Sequence, residues 1–215
     1  MNFYANPGHF CAESVFQSAV NYYFSGKEMR TLEARKLFGN KNKRTHVYPV
    51  QIANALSDLG LSVSYFSCFD LEGFLKMNRE EKIEEYKKFY GDFSEKIVSH
   101  TEFDSLDENI SRIISRGYEK RELDFSDIEN YFQNSSVICL LNNDLFYLRE
   151  NQYTGHYAVI TDISGDYVKY HEVGPASPEP DKKVSKKRFS HAWNKMCFFD
   201  EDTIVIGGKR NGISK

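Results

Sequence analysis

Apolar and polar positions change period several times along the chain. From Cys11 to Phe24, Ala12, Val15, Phe16, Ala19, Tyr22 and Tyr23 recur at helical spacing, and Gly26 follows. This predicts a helix that opens on a cysteine, just after the turn-prone Asn6-Pro7-Gly8. "TLEARKLFG" predicts a short helix with Thr31 as its cap and Gly39 beyond its end. "YPVQIANALSDLG" predicts another, with Pro49 in the first turn and Gly60 at the stop. "LSVSYFSC" then alternates, as a strand does. Helical spacing returns in the mixed-charge "NREEKIEEYKKF", in the amphipathic "LDENISRIISRGY", and in "FSDIENYFQ" with Ser126 as its cap. Beyond it, "SVICLL", "HYAVITDI" and "DYVKYHEV" have the β-branched and aromatic content of strands, with "SGD" as a hairpin turn between the last two. "PASPEPD" reads as a rigid exposed loop, "SKKRFSHAWNK" as a short helix and "DTIVIGG" as a closing strand. Helices first and an antiparallel sheet afterwards define an α+β class, not a doubly wound parallel sheet.

Composition narrows the setting. The chain has 215 residues, 40% of them apolar, enough to bury a substantial core. A net charge of −3 offers no broad basic field, so nucleic acid is not an expected partner. The first ten residues lack a basic region followed by an apolar one, and no apolar run approaches the ~18 residues of a membrane span. A cytoplasmic location is therefore expected. Cys11, Cys68, Cys139 and Cys197 are widely spaced with no C-x-x-C pair, which predicts thiols and not a disulfide framework. His and Cys positions show no metal-ligand spacing, and neither metal nor cofactor is expected. Oligomeric state is left open.

The chemistry gathers at the first cysteine. A helix N-terminus offers unsatisfied backbone N–H groups and a positive dipole end, and both favour thiolate over thiol. Cysteine also serves as a small buried apolar residue, so the position acquires meaning only with a base. The histidines are His9, His46, His100, His156, His171 and His191. Of these, His156 follows a glycine and opens an apolar strand in "TGHYAVITDI", so its ring can project from the rim of a sheet. A third group must orient the imidazole. A three-residue "SGD" turn would put Glu172 on the face of His156, whereas a two-residue turn would put His171 there. Glu172 is preferred, because a carboxylate stabilises imidazolium. Trp193 and Phe189, at i and i+4, read as core packing. Lys182, Lys183, Lys186, Lys187 and Arg188 read as a solvated loop and helix start, or as a means of steering an acidic ligand.

The cysteine opening the first long helix, then "GHYAVITDISGDYVKYHEV", then "RFSHAW" together resemble the papain-like cysteine peptidases. The nearest branch is the bacteriocin-processing, double-glycine-leader peptidases. "VYPVQIANALSDLGLSVSYF" resembles that family's second helix and following strand. The resemblance covers residues 1–70 and about 125–207. It implies a single papain-like domain over 1–215 with a helical insertion at about 70–125. It also implies a peptide or related amide substrate, Cys11 as nucleophile, His156 as general base and Glu172 where the family usually has Asp. The family's Asp-Cys-Gly is "FCAE" here, and no Gln precedes Cys11 to act as oxyanion donor. Asn6 is the nearest side-chain amide and the expected substitute. Three functions are compatible with these residues: a thiol hydrolase, a thiol acyltransferase, and a peptide-binding module of the same fold that does not cut.

Overall fold

In the computed structural model, which describes residues 1–5, 10–25, 27–40, 45–147, 153–174, 178–193, 198–199 and 202–209, the cysteine-led helix α1 runs Cys11–Tyr23. Its Val15, Phe16, Ala19 and Val20 are wholly buried. Helix α2 spans Thr31–Leu37. Thr31 is its first residue and not its cap; Arg30 holds that position and donates its backbone N–H to Glu33 at 2.9 Å. Helix α3 is Pro49–Asp58 and strand β1 Leu61–Ser67. Four helices follow: α4 Leu71–Lys76, α5 Arg79–Tyr90, α6 Ser94–Ser99 and α7 Phe103–Arg116. A two-residue strand β2, Glu119–Lys120, leads to α8, Phe125–Phe132. Asp124, not Ser126, caps α8, accepting the Asp127 N–H at 2.9 Å, while the Ser126 hydroxyl donates to the same carboxylate at 2.6 Å. The rest is β3 Ser136–Asn142, β4 Gly155–Ser164, β5 Tyr167–Glu172, β6 Glu179–Ser185, α9 Lys186–Trp193 and β7 Thr203–Lys209.

The strands form one seven-stranded sheet in the order β2-β1-β7-β3-β4-β5-β6. Every pairing is antiparallel except β1 with β2. Strand β6 contradicts the exposed-loop reading of its first residues, Glu179 to Asp181. It has a proline, lysines and little apolar alternation, because it is an edge strand held by pairing with β5 and not by burial.

Alternation along β3 sorts the core onto the two faces of the sheet. Ile138 and Leu140 join α1, α3 and the helices of residues 71–116 in one cluster. Val137, Cys139 and Leu141 join α8 and α9 in the other. Phe189 and Trp193 are buried in this second cluster, as the packing reading requires. The helices between β1 and β2 are tied into the first cluster by polar and aromatic contacts. Asn54 of α3 donates to the Asn109 carbonyl of α7 at 2.8 Å. Tyr86 of α5 lies edge-on to Phe198 at 4.9 Å between ring centroids. Among the described residues, no helix is long and apolar enough to cross a membrane.

The cysteines correct one expectation. Cys11 and Cys139 are free, but Cys68 is disulfide-bonded, with its partner outside the described residues. Sequence spacing could not show this, since a disulfide depends on proximity in space. Cys68 stands directly after β1.

Candidate active site

Three elements build the site. Helix α1 presents Cys11 as its first residue. Phe10 occupies the N-cap, and its side chain makes no capping hydrogen bond to the first turn. Strand β4 brings His156, one residue in from its start and paired with Leu141 of β3. The helix packs against this strand.

The hairpin after His156 selects its second partner. Ser164 pairs with Tyr167, leaving a two-residue turn in which Gly165 takes φ +52°. Taken alone, that turn would place His171 on the face of His156. A bulge between Ile160 and Asp162 prevents it. Beyond the bulge the pairs are Ile160 with Tyr170, Val159 with His171 and Ala158 with Glu172. One extra residue on β4, Thr161, therefore restores the parity that a three-residue turn would have supplied. Glu172 shares the face of His156, but for a different reason from the one expected.

His156 Nε2 lies 2.6 Å from Glu172 Oε1, and both side chains are about 95% buried. The Cys11 thiol is also close enough to act on the ring electrostatically. Burial alone would depress the imidazole pKa, yet the thiol and the carboxylate outweigh it and raise His156 to about 9. Burial likewise pushes Glu172 up, but His156, the Gly174 N–H and the Lys182 charge bring it down to about 2. Each partner thus favours the charged form of the other. Cys11 is partly exposed.

The structure brings together Cys11, His156 and Glu172. Asn6 lies outside the described residues. His171, the alternative orienting residue, is turned away and accounted for: its Nε2 meets the Met1 carbonyl at 3.0 Å, and Nδ1 accepts the Asp181 N–H at 3.4 Å. Cys139 is a fully buried thiol pushed up to about 12 by desolvation. Sequence reasoning missed Gly174, whose N–H donates to Glu172 Oε1 at 3.0 Å. A Cβ there would stand 2.9 Å from that oxygen and 3.3 Å from His156 Cε1, so the close approach requires glycine. Lys182 was visible only as one of a basic cluster. That cluster is largely consumed within the molecule: Lys182 meets Glu172, Lys183 covers the Tyr167 ring, Lys186 pairs with Glu129, and Arg188 donates to the Phe146 carbonyl. Among the described residues, no group of three or more His, Cys, Asp or Glu side chains could hold a metal ion.

No protein-family model matches the chain, and no curated protein matches it. Solved structures do. A protein from Bacillus anthracis described as a C39-like peptidase aligns with a TM-score of 0.50 at 12% identity, over 98% of this chain and 96% of that one. The peptidase domain of Streptococcus ComA, a bi-functional ABC transporter involved in a quorum-sensing pathway, aligns with a TM-score of 0.46 at 13% identity, over 93% and 92% of the two chains. The fold is that of the papain-like C39 peptidases, with a helix-borne cysteine set against a strand-borne histidine.

Proposed function

We propose that the protein is a thiol hydrolase of the cysteine peptidase type, cleaving a peptide or related amide. The observation that carries this is the buried His156 ring, with the Glu172 carboxylate 2.6 Å from its Nε2 and the Cys11 thiol within electrostatic reach. Cys11 sulfur attacks the substrate carbonyl as a thiolate paired with the His156 imidazolium. The backbone N–H at the α1 start, with the Asn6 amide as second donor, stabilises the oxyanion. His156 protonates the leaving amine, then activates the water that releases the acyl group. Glu172 fixes the ring and compensates its charge throughout. The peptidase description of the fold neighbour supports a peptide as substrate. Residues 70–125 are an insertion in one papain-like domain on this reading.

Iodoacetamide alkylation with peptide mass mapping tests the proposal. Cys11 should react at pH 6 at least tenfold faster than free cysteine, whose pKa near 8.5 leaves less than a hundredth as thiolate there. An ordinary rate would sink it. If Cys11 is activated, product masses with and without an added amine separate hydrolysis from acyl transfer. An activated thiol that cuts no peptide in a library would favour a binding module.

A further inference from the structure

Glu172 has two carboxylate oxygens, and only one serves His156. Oε1 faces the imidazole and accepts the Gly174 N–H. Oε2 points away, and Lys182 Nζ stands 3.2 Å from it, with the Tyr170 hydroxyl donating at 3.4 Å. The strand register explains the meeting. Lys182 pairs with Tyr170 across β5 and β6, and Glu172 follows Tyr170 by two residues on the same face. A long side chain on the edge strand therefore reaches the carboxylate diagonally. The Lys182 side chain is 20% exposed and the Glu172 side chain 5%, so water screens the pair weakly.

We propose that Lys182 is a positioning residue of this site: from the edge strand it holds the outer oxygen of Glu172, so that the inner oxygen is presented to His156. The inference rests on the hydrolase reading and extends it to a residue that acts through Glu172. A neutral hydroxyl 3.4 Å from the outer oxygen holds the carboxylate loosely, whereas a cation there restricts its last torsion and keeps the group ionised. The charged or titratable groups facing Glu172 are His156 from β4, Tyr170 on its own strand, and Lys182 and the exposed Glu179 from β6, with Glu179 opposite in register. Lys182 is the cation among them that His156 does not share. Removing it should let Glu172 take a proton at higher pH, and the imidazolium that supports the Cys11 thiolate then loses its partner.

The test is the pH profile of Cys11 alkylation by iodoacetamide, measured on the full chain as parent, Lys182→Met, Lys182→Gln and Lys182→Arg. Circular dichroism melts check that each is folded. The acidic limb should move up by about one pH unit in the Met and Gln variants, a tenfold loss of rate at a fixed pH on that limb. Arginine should restore the parent limb. In a Glu172→Gln background the same Lys182→Met change should move nothing, because its effect passes through Glu172. A fast Cys11 whose limb does not move in either neutral variant overturns the role of Lys182 and leaves the hydrolase reading in place. A limb that moves equally in the Glu172→Gln background overturns it too. A Cys11 with the rate of free cysteine in the parent overturns both.

Discussion

His156 and Glu172 divide one task unequally, and substitution should expose the difference. The imidazole moves the proton, and the carboxylate only orients it and balances its charge. His156→Ala should lower turnover of a peptide substrate by roughly 100- to 10,000-fold, the usual worth of a positioned acid–base group. Glu172→Gln should cost less, since the amide can still accept a hydrogen bond. Equal rates for Glu172→Gln and the parent would remove Glu172 from the site. The same pair sets a stability window. Glu172 is depressed from 4.5 to about 2, so its contribution is full above pH 4.5 and is lost as pH falls through 2. His156 is raised from 6.5 to about 9, so its contribution is full below pH 6.5 and is lost as pH rises through 9. Thermal melts from pH 2 to 10 should show a plateau between about 4.5 and 6.5, and Glu172→Gln should flatten both flanks. A parent curve rising steadily to pH 9 would contradict the raised His156.

Whole elements must hold these residues in place, and α1 has its own anchor. Glu13, two positions after Cys11, is buried with its carboxylate 2.7 Å from Arg35 of α2. Burial raises the pKa of Glu13 and the guanidinium opposes it. Arg35 also donates to the Thr45 carbonyl at 2.8 Å, so it joins α1 and α2 to the chain before α3. Arg35→Met should cost about 3–5 kcal/mol by leaving a buried charge unmatched, and Glu13→Met added to it should recover most of the loss. Urea melts of the two variants decide this, and additive losses would show the pair to be independent. Nothing in "FCAE" pointed to Arg35, because the pairing spans 22 residues. The β4–β5 hairpin was legible in part for a similar reason. Its strands and the place of its turn could be read, but neither the turn's two-residue length nor the bulge at Thr161 that offsets it leaves a mark in composition. Strand β6 was hidden because an edge strand needs no apolar pattern, and Lys182 with it. What sequence displays well is burial on a period. What it hides is register, and register is what turns a list of Cys, His and Glu into a row.

At the scale of the molecule, the site lies where α1 meets a sheet that both hydrophobic clusters share. The helices of residues 71–116 add aromatic side chains to the first cluster, and Tyr90 of α5 packs against Tyr153 at 4.9 Å, three residues before His156. The second cluster holds Trp193, the single tryptophan of the chain. Strands β3, β4 and β7 contribute to both clusters: Ile138, Val159 and Ile204 on one face, Val137, Ala158 and Val205 on the other. Neither cluster can lose its packing while the other keeps these strands in register, so the two should unfold together. Tryptophan fluorescence reports the second cluster, and far-ultraviolet circular dichroism is dominated by the helices of the first. Their urea transitions should share one midpoint in the oxidised protein, and Tyr90→Ala should move both midpoints down by the same amount. A dichroism loss that precedes the fluorescence change would mean that the helices of residues 71–116 melt on their own. The strand that carries His156 would then be supported by the sheet alone.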